Sequence, residues 1–458
     1  MSKKSVARQS MPANGVLAQF QRLCLGASIA CCLLVSTLAH ADLAKGESAY
    51  KNKDYSIALV EFKRSADAGN AKAQNSLGNM YFNGEGVPTD WHIAAEWYRK
   101  AAEQGYPNAQ FNLGNCYADG EGVPKDQRLA VKWFHKAAEQ GFARAQFNLG
   151  LAYANGSGVT ADKNLAAEWY RKAAEQGETA AQVNLGLSYS QGEGVPLDKS
   201  LAVEWYRKAA ERGNARAQFN LGLFYDSGDK APADKHLAVE WYRKAAEQGL
   251  VVAQFNLGNC YANGEGVPKN QSLAAEWYRK AAEQGHVGAQ FSLGVSYENG
   301  EGVPKDPHLA VEWYRKAAEQ EDADAQHRLG HSYRIGAGVP ENQGIAVEWY
   351  RKAAEQGQAI AQNDLGGCYA TGTCLPMHLV LAYALYTVSA SNGNELARKN
   401  LAVLEKTISN SDRQKGQELA AKMSKGKSLI SILDAYVAKN PWQGPNAIRP
   451  APASPISQ

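Results

Sequence analysis

One tryptophan recurs every 36 residues along most of this chain, and that fixed period limits what the chain can fold into. Its eight copies, with no insertion between any two, are Trp97, Trp133, Trp169, Trp205, Trp241, Trp277, Trp313 and Trp349. A Leu-Gly pair (Leu77-Gly78 to Leu365-Gly366) and a tyrosine (Tyr81 to Tyr369) keep the same register. A period of this length is the signature of a repeat array in which each unit packs on its neighbours. The register predicts nine repeats over residues 70–393.

Each repeat is predicted to contain two helices. In the first, Ala109, Leu113 and Tyr117 are spaced i, i+4 and i+8 and so share one helical face. The sequence "DGEGVP" then interrupts the helix, because glycine accepts positive φ and proline does not continue a helix. An Asp or Asn follows in register, where it is expected to cap the second helix and contribute about 1 kcal/mol. These caps are Asp90, Asp126, Asp162, Asp198, Asp234, Asn270, Asp306 and Asn342.

The second helix is spelled "AAEWYRKAAEQG" at 94–105, and the same twelve letters return at 166–177 and 274–285. Ala94, Trp97 and Tyr98 begin an apolar stripe at i, i+3 and i+4, which is predicted to face inward. The Arg-Lys pair is predicted to form a solvated face, neutralised by (i, i+4) pairs with glutamates. The glycine that closes the motif is predicted to end the helix. We interpret this motif as structural.

A few repeats depart from the pattern. Lys230 replaces a loop glycine, and Glu321 stands where a helix-ending glycine is expected. The ninth repeat has Cys374 at a glycine position, His378 at the cap and Leu385 in place of tryptophan. Such degeneration is expected of a terminal, capping repeat.

The combined pattern, A-x-A-Q-x-x-L-G-x-x-Y-x-x-G-x-G-V-x-x-D-x-x-x-A-x-x-W-Y-x-K-A-A-E-Q-G, resembles the Sel-1-like repeat (SLR) family, a branch of the tetratricopeptide (TPR) repeats. The resemblance implies an all-α fold, a right-handed α-solenoid of antiparallel helix pairs whose concave groove binds proteins or peptides. Residues 43–69 resemble a first, TPR-like capping unit, and residues 394–440 are expected to continue as capping helices. The Pro-rich tail 441–458 is predicted to be disordered.

Residues 1–41 are interpreted as a signal peptide. Basic residues precede the apolar run Leu23–Leu38, and "AHA" places the cleavage between Ala41 and Asp42. The mature protein is therefore predicted to be periplasmic or secreted, with the membrane involved only through the cleaved signal. A lipoprotein acylated at Cys31 is the weaker alternative, because Ser28 stands where leucine is usual.

The charges argue against a nucleic-acid partner. The chain has 49 basic and 46 acidic residues, and the leader holds four of the basic ones, so the mature array is almost neutral. Many bacterial relatives act in envelope processes, and the predicted partner is a protein or peptide in the periplasm.

Partner-binding positions follow from the TPR groove, which the first helices are expected to line. Two residues before the Leu-Gly pair lie Phe111, Phe147, Phe219, Phe255 and Phe291, and two residues after its leucine lie Asn79, Asn115 and Asn259. Alternatively, the phenylalanines pack between neighbouring first helices. An asparagine series (Asn112, Asn148, Asn184, Asn220, Asn256) is predicted to bond either to a bound peptide or, preferably, to the backbone of the next repeat.

Cysteine and histidine give weaker signals. Cys116, Cys260 and Cys368 share one repeat position and so cannot generally pair with one another, whereas Cys368 and Cys374 are close enough for a disulfide. His327 and His331 are spaced as metal ligands could be, but a chance surface pair is favoured.

No catalytic motif, metal site or cofactor is predicted, and the chain is interpreted as a non-enzymatic scaffold. The alternatives are a hydrolase or binder acting on β-lactam or peptidoglycan-type ligands, and a carbohydrate binder with exposed aromatic residues. The regular cysteine pairs of the β-lactam-linked relatives are absent from this sequence.

Overall fold

The computed structural model describes residues 42–228, 234–424 and 428–441. The predicted leader and its alternative at Cys31, the substitution Lys230, and the tail beyond Pro441 lie outside the described residues. Within these three ranges the chain is helical and contains no strand. It begins with α1 (42–51) and α2 (Tyr55–Asp67), which are joined by a short turn in which Lys53 has φ +64°.

Nine helix pairs follow, here called repeats 1 to 9. The first helices are α3 (Ala71–Asn83), α5 (Pro107–Asp119), α7 (Ala143–Asn155), α9 (Thr179–Gln191), α11 (Ala215–Ser227), α13 (Val251–Asn263), α15 (Val287–Asn299), α17 (Ala323–Ile335) and α19 (Ala359–Thr371). The second helices are α4 (Trp91–Glu103), α6 (Gln127–Glu139), α8 (Lys163–Glu175), α10 (Lys199–Glu211), α12 (Lys235–Glu247), α14 (Gln271–Glu283), α16 (Pro307–Glu319), α18 (Gln343–Glu355) and α20 (Leu379–Ser391). Three more helices end the described chain: α21 (Glu395–Leu404), α22 (Asn410–Met423) and α23 (Leu429–Lys439). The predicted all-α array of helix pairs is confirmed.

The predicted caps fix where the second helices begin. Asp90 Oδ1, for example, accepts a hydrogen bond of 3.0 Å from the amide of Ile93. The asparagines act in the same way, since Asn270 Oδ1 accepts one of 3.0 Å from Leu273. His378 is the exception, because it occupies the cap of α20 without a side-chain cap bond. Glu321 takes the left-handed conformation of the glycine it replaces, with φ +68°.

Contacts divide the chain into two compact regions, with the boundary between Ala217 and Gln218, inside α11. In the first region, α1 and α2 pack around Phe62, Leu77 and Met80, and later repeats bury a leucine and alanines between their helices. In the second region, α21 and α22 pack on α20. Leu385, Leu419 and Leu433 are buried there in one hydrophobic cluster. The described helices include none that is long and apolar enough to span a membrane.

The glycine of each Leu-Gly pair packs against an aromatic ring. A Cβ added to Gly150 would lie 2.6 Å from the Tyr170 ring, and one on Gly294 would lie 2.6 Å from the Tyr314 ring. The ring comes from the second helix of the same repeat. The backbone of that helix also comes close, since the carbonyl oxygen of Ala166 would lie 3.2 Å from the Cβ added to Gly150.

A different glycine, the second in "GEG", joins one repeat to the one before it. A Cβ on Gly122 would lie 1.9 Å from the carbonyl oxygen of Trp91, the first residue of α4. Gly194 has the same relation to Lys163, the first residue of α8. The loop therefore needs glycine for its positive φ and also because it touches the backbone of the preceding second helix.

The repeated dodecamer is structural, but its Arg-Lys pair does more than was predicted. Lys100 Nζ lies 3.9 Å from the centroid of the Trp97 ring, a cation–π contact that recurs in all eight tryptophan-bearing second helices. Arg99 Nη2 donates to the hydroxyl of Tyr117 in the next repeat at 3.2 Å. The same bond recurs from Arg171, Arg243, Arg279 and Arg315 at 2.8–3.0 Å. The prediction of a merely solvated face is therefore wrong for the arginine, which joins successive repeats.

Buried glutamines form a second joint. Gln110 Nε2 donates to the carbonyl of Ala102 in the preceding repeat at 3.2 Å, and its Oε1 accepts from Gln140 at 2.8 Å. In repeat 4, Arg212 follows the second helix at the position that holds glutamine in the other repeats, or Asn392 in repeat 9, and it donates to the carbonyl of Gly177 instead. Among the described residues, no donor reaches the buried Oε1 of Gln182.

Replacing Arg212 by glutamine is predicted to stabilise the protein. The new amide would reach Gln182 Oε1 as Gln176 reaches Gln146 Oε1 at 2.7 Å, and satisfying a buried acceptor is worth about 1 kcal/mol. Urea denaturation should show a higher midpoint for Arg212→Gln than for the wild type. The matched control is Arg144→Gln, which removes an exposed arginine from repeat 3. An equal gain in both variants, or none in Arg212→Gln, would contradict this explanation.

Candidate functional site

The candidate site is the first-helix face, defined as the residues two before, one before, two after and five after the leucine of each Leu-Gly pair. These positions lie on one side of each first helix, and their residues change from repeat to repeat. The residues that the repeats share, in contrast, make the contacts described above, which join the two helices of a repeat and one repeat to the next. All eight predicted partner-binding residues belong to this face.

The predicted phenylalanines are partly buried, each against the aromatic residue of its own second helix. The ring centroids are 5.9 Å apart for Phe147 and Tyr170 and 5.8 Å apart for Phe291 and Tyr314. Phe111, Phe219 and Phe255 make equivalent contacts at 5.7–5.9 Å. Phe255 also stacks on His286, which begins the next repeat, at 4.5 Å. The phenylalanines thus form part of the wall within and between repeats, and their role in partner binding stays a prediction.

The predicted asparagines bond to side chains of the same face. Asn79 Oδ1 accepts from the Tyr98 hydroxyl at 2.8 Å, and Asn259 Oδ1 accepts from the Tyr278 hydroxyl at 2.8 Å. Asn115 Oδ1 accepts instead from the amide of Asn148 at 3.3 Å. A polar line of hydroxyls and amides therefore follows this part of the face.

The series that precedes each leucine reaches backward along the array. Asn112 Nδ2 donates to Asn75 at 3.0 Å, and Asn148 donates to Asn115, both of which lie in the preceding repeat. The predicted bonds to the backbone of the next repeat are therefore wrong for these two residues. A side chain at this position contacts the parallel first helix, whose facing atoms are side chains because its backbone groups bond within the helix.

Repeats 7 to 9 carry a charged part of the face. His327 Nε2 lies 2.9 Å from Asp364 of the next repeat, and Arg328 Nη1 lies 3.3 Å from Glu298 of the preceding one. His327 is only 9 % exposed, so its assignment to a chance surface pair is wrong. Burial, reinforced by the nearby Arg334, lowers the pKa of His331. In the part of the chain that the structure describes, no three His, Cys, Asp or Glu residues are grouped to hold a metal.

Repeats 3 and 4 carry an open part of the face, a cavity of about 190 Å³ between α7, α8 and α9. Its lining includes Leu151, Ala154, Tyr170 and Leu187, with Asn184 among the polar residues. Burial raises the pKa of Tyr170 to about 12, and the hydrogen bond between its hydroxyl and Asn184 opposes part of that rise. No prediction from the sequence located this cavity.

Stacked helix pairs of uniform length, joined by recurrent contacts between neighbours, define an α-solenoid of the helical repeat class. Nine consecutive segments match the family model described as Sel1 repeat: 71–106, 107–142, 143–178, 179–214, 215–250, 251–286, 287–322, 323–358 and 359–394. The chain belongs to the Sel1 repeat family, whose members are typically protein-interaction scaffolds and generally non-catalytic.

Two crystal structures show the same architecture. A protective antigen from uropathogenic Escherichia coli strains, which displays an SLR fold, is 34% identical with a TM-score of 0.76, covering 91% of this chain and 89% of its own. A Sel1 repeat protein from Oxalobacter formigenes is 35% identical with a TM-score of 0.52, covering 71% of this chain and 93% of its own. No curated protein sequence matches the chain.

The structure describes four cysteines and joins none of them in a disulfide. Burial raises the pKa of Cys116 to about 12 and that of Cys260 to about 11, so both thiols are protonated near neutral pH. Buried and protonated, these two thiols pack as small hydrophobic side chains. Cys374 is hydrogen-bonded to Cys368, and this contact adds to the burial that raises the pKa of Cys368.

The Cys368–Cys374 disulfide stays a prediction. In an oxidising compartment the two neighbouring thiols are expected to pair. Titrating the thiols of the exported, denatured protein should then reveal two more after reduction than before. The variant Cys374→Ser should abolish this difference. A wild-type protein that shows all four thiols without reductant would contradict the pairing.

Proposed function

We propose that this Sel1 repeat protein is a non-enzymatic scaffold of the bacterial cell envelope that binds a protein or peptide partner on its first-helix face. The observation that carries the proposal is the division of positions in each repeat. The shared residues form joints: arginine to tyrosine, glutamine to carbonyl, ring to glycine. The first-helix face holds the residues that vary, and variable positions carry specificity in a solenoid.

The face changes character along the array, as a surface for one particular partner would. It is amide-rich at Asn79 and Asn115, apolar at Leu151 and Leu187, and charged around Arg328 in repeats 7 to 9. Within the first region, a partner that binds along the face would meet amide groups and then apolar groups in a fixed order. Such an order favours one sequence over others through both attractive and mismatched contacts.

An envelope location is supported by the leader-like sequence at 1–41, in which a basic segment, an apolar run and "AHA" follow in order. The similar Escherichia coli protein is a protective antigen, which agrees with an exported protein. The near balance of acidic and basic residues gives no support to a nucleic-acid partner.

The proposal is tested by site-specific photo-crosslinking in a Gram-negative host that expresses the full chain with its own leader. A photo-reactive residue at Leu187 should trap discrete protein or peptide adducts, because this side chain lies on the first-helix face. The matched control is Leu197, a leucine of the same repeat that is 59% exposed in the loop before α10. N-terminal sequencing of the same preparation should begin at Asp42.

Adducts of equal yield from both positions, or none from Leu187, would contradict partner binding on this face. A protein that keeps residues 1–41 and stays in the cytoplasm would contradict the envelope location while leaving the binding face in place.

A further inference from the structure

A small residue, Ala154, lines the cavity between repeats 3 and 4. Ala154 occupies the position five after the leucine, and in several other repeats a larger side chain fills the corresponding space. Phe82 in repeat 1 packs its ring 6.4 Å from that of Tyr98. Glu298 in repeat 7 accepts from the Tyr314 hydroxyl at 2.6 Å, and Arg334 in repeat 8 donates to the Tyr350 hydroxyl at 3.2 Å.

Repeat 1 shows which chemistry fits this space. Phe82 lies between Tyr98 and Trp91, with both ring centroids 6.4 Å from its own. Two repeats along, Tyr170 corresponds to Tyr98 and Lys163 corresponds to Trp91, while Ala154 supplies no ring. Both corresponding residues line the cavity. A ring that entered it would therefore meet an aromatic face on one side and an ammonium group on the other.

The size and lining of the cavity agree with a single ring. Its volume is about 190 Å³, and an apolar cavity of about 150 Å³ is known to hold benzene. Leu151 and Leu187 supply apolar walls that repeats 1 and 2 lack, since the corresponding positions there are Asn79 and Asn115. Lys163 Nζ lies 2.9 Å from Glu193, and about half of each side chain is exposed. Water screens such an ion pair, so the ammonium group is available for a cation–π contact with an entering ring.

Polar groups beside the cavity suit a peptide rather than a bare hydrocarbon. An asparagine amide offers two donors and an acceptor with two lone pairs, and Asn184 uses part of this capacity on the Tyr170 hydroxyl. The remaining donors and acceptors of Asn184 are available to the backbone amide of the residue whose side chain enters the cavity.

We infer that the cavity of repeats 3 and 4 is an anchor site for one aromatic side chain of a partner peptide, held between the Tyr170 ring and the Lys163 ammonium. The inference rests on the proposed function and specifies its partner: a peptide segment with an exposed phenylalanine or tyrosine. Buried aromatic anchors carry a large share of the energy at such interfaces.

The test uses N-acetyl-L-phenylalaninamide as a probe on the full mature chain, observed by saturation-transfer NMR. The wild type should transfer saturation to the phenyl protons. Ala154→Phe should abolish the transfer, because the new ring would occupy the cavity as Phe82 occupies its counterpart. The matched control, Ala262→Phe, adds the same ring at the same position of repeat 6 and should leave the signal unchanged.

A second variant and a folding check keep the outcome clear. Ala154→Met fills the cavity with a flexible chain and should weaken probe binding by about tenfold or more. Thermal unfolding of each variant should match the wild type to within a few degrees. If Ala154→Phe does not fold, Ala154→Met decides the question alone.

Binding of the probe that is equal in wild type, Ala154→Phe and Ala154→Met would overturn the anchor site, as would absence of binding to the wild type. In either case, adducts from Leu187 would leave the proposed function standing. Probe binding without any adduct from Leu187 would instead remove the protein partner and leave a site for free aromatic compounds.

Discussion

The close contact between an aromatic ring and a helix glycine determines much of this structure. In each described repeat, the ring of the second helix lies against the glycine of the Leu-Gly pair, at distances that leave no room for a Cβ. The contact sets the separation of the two helices and sends the tyrosine hydroxyl to the first-helix face. There the hydroxyl meets a residue that differs from repeat to repeat: Asn79, Glu298 or Arg334. One invariant contact thus supports a variable surface.

Much of the fold could be predicted from the sequence, because helices, caps and loop glycines depend on local patterns. Asp90 and Asn270 cap their helices as expected, and Pro307 begins α16. The contacts between repeats are harder to predict from the sequence. The bond of Arg99 to Tyr117 joins residues 18 apart, and an array of identical letters does not show which neighbour each side chain reaches.

The candidate site was predicted only in outline. The first-helix positions were identified, but His327 was assigned to the surface because its partner, Asp364, is 37 residues away in the next repeat. The cavity depends on Ala154 being small where Phe82 is large, and on two leucines in neighbouring repeats. Such a space arises from the combination of several helices, so no single motif indicates it.

The central claim is that residues shared by the repeats hold the structure and residues that vary carry binding. The most direct measurement compares the variants Gly294→Ala and Leu187→Ser. For each variant, the midpoint of thermal unfolding is measured, together with the yield of partner adducts crosslinked to a photo-reactive residue at position 151. Gly294→Ala should lower the unfolding midpoint, because the added Cβ overlaps the Tyr314 ring, and should leave the adducts unchanged below that midpoint. Leu187→Ser should leave the midpoint within a few degrees and lose the adducts. The reverse pattern, with binding lost in Gly294→Ala and kept in Leu187→Ser, would contradict the account.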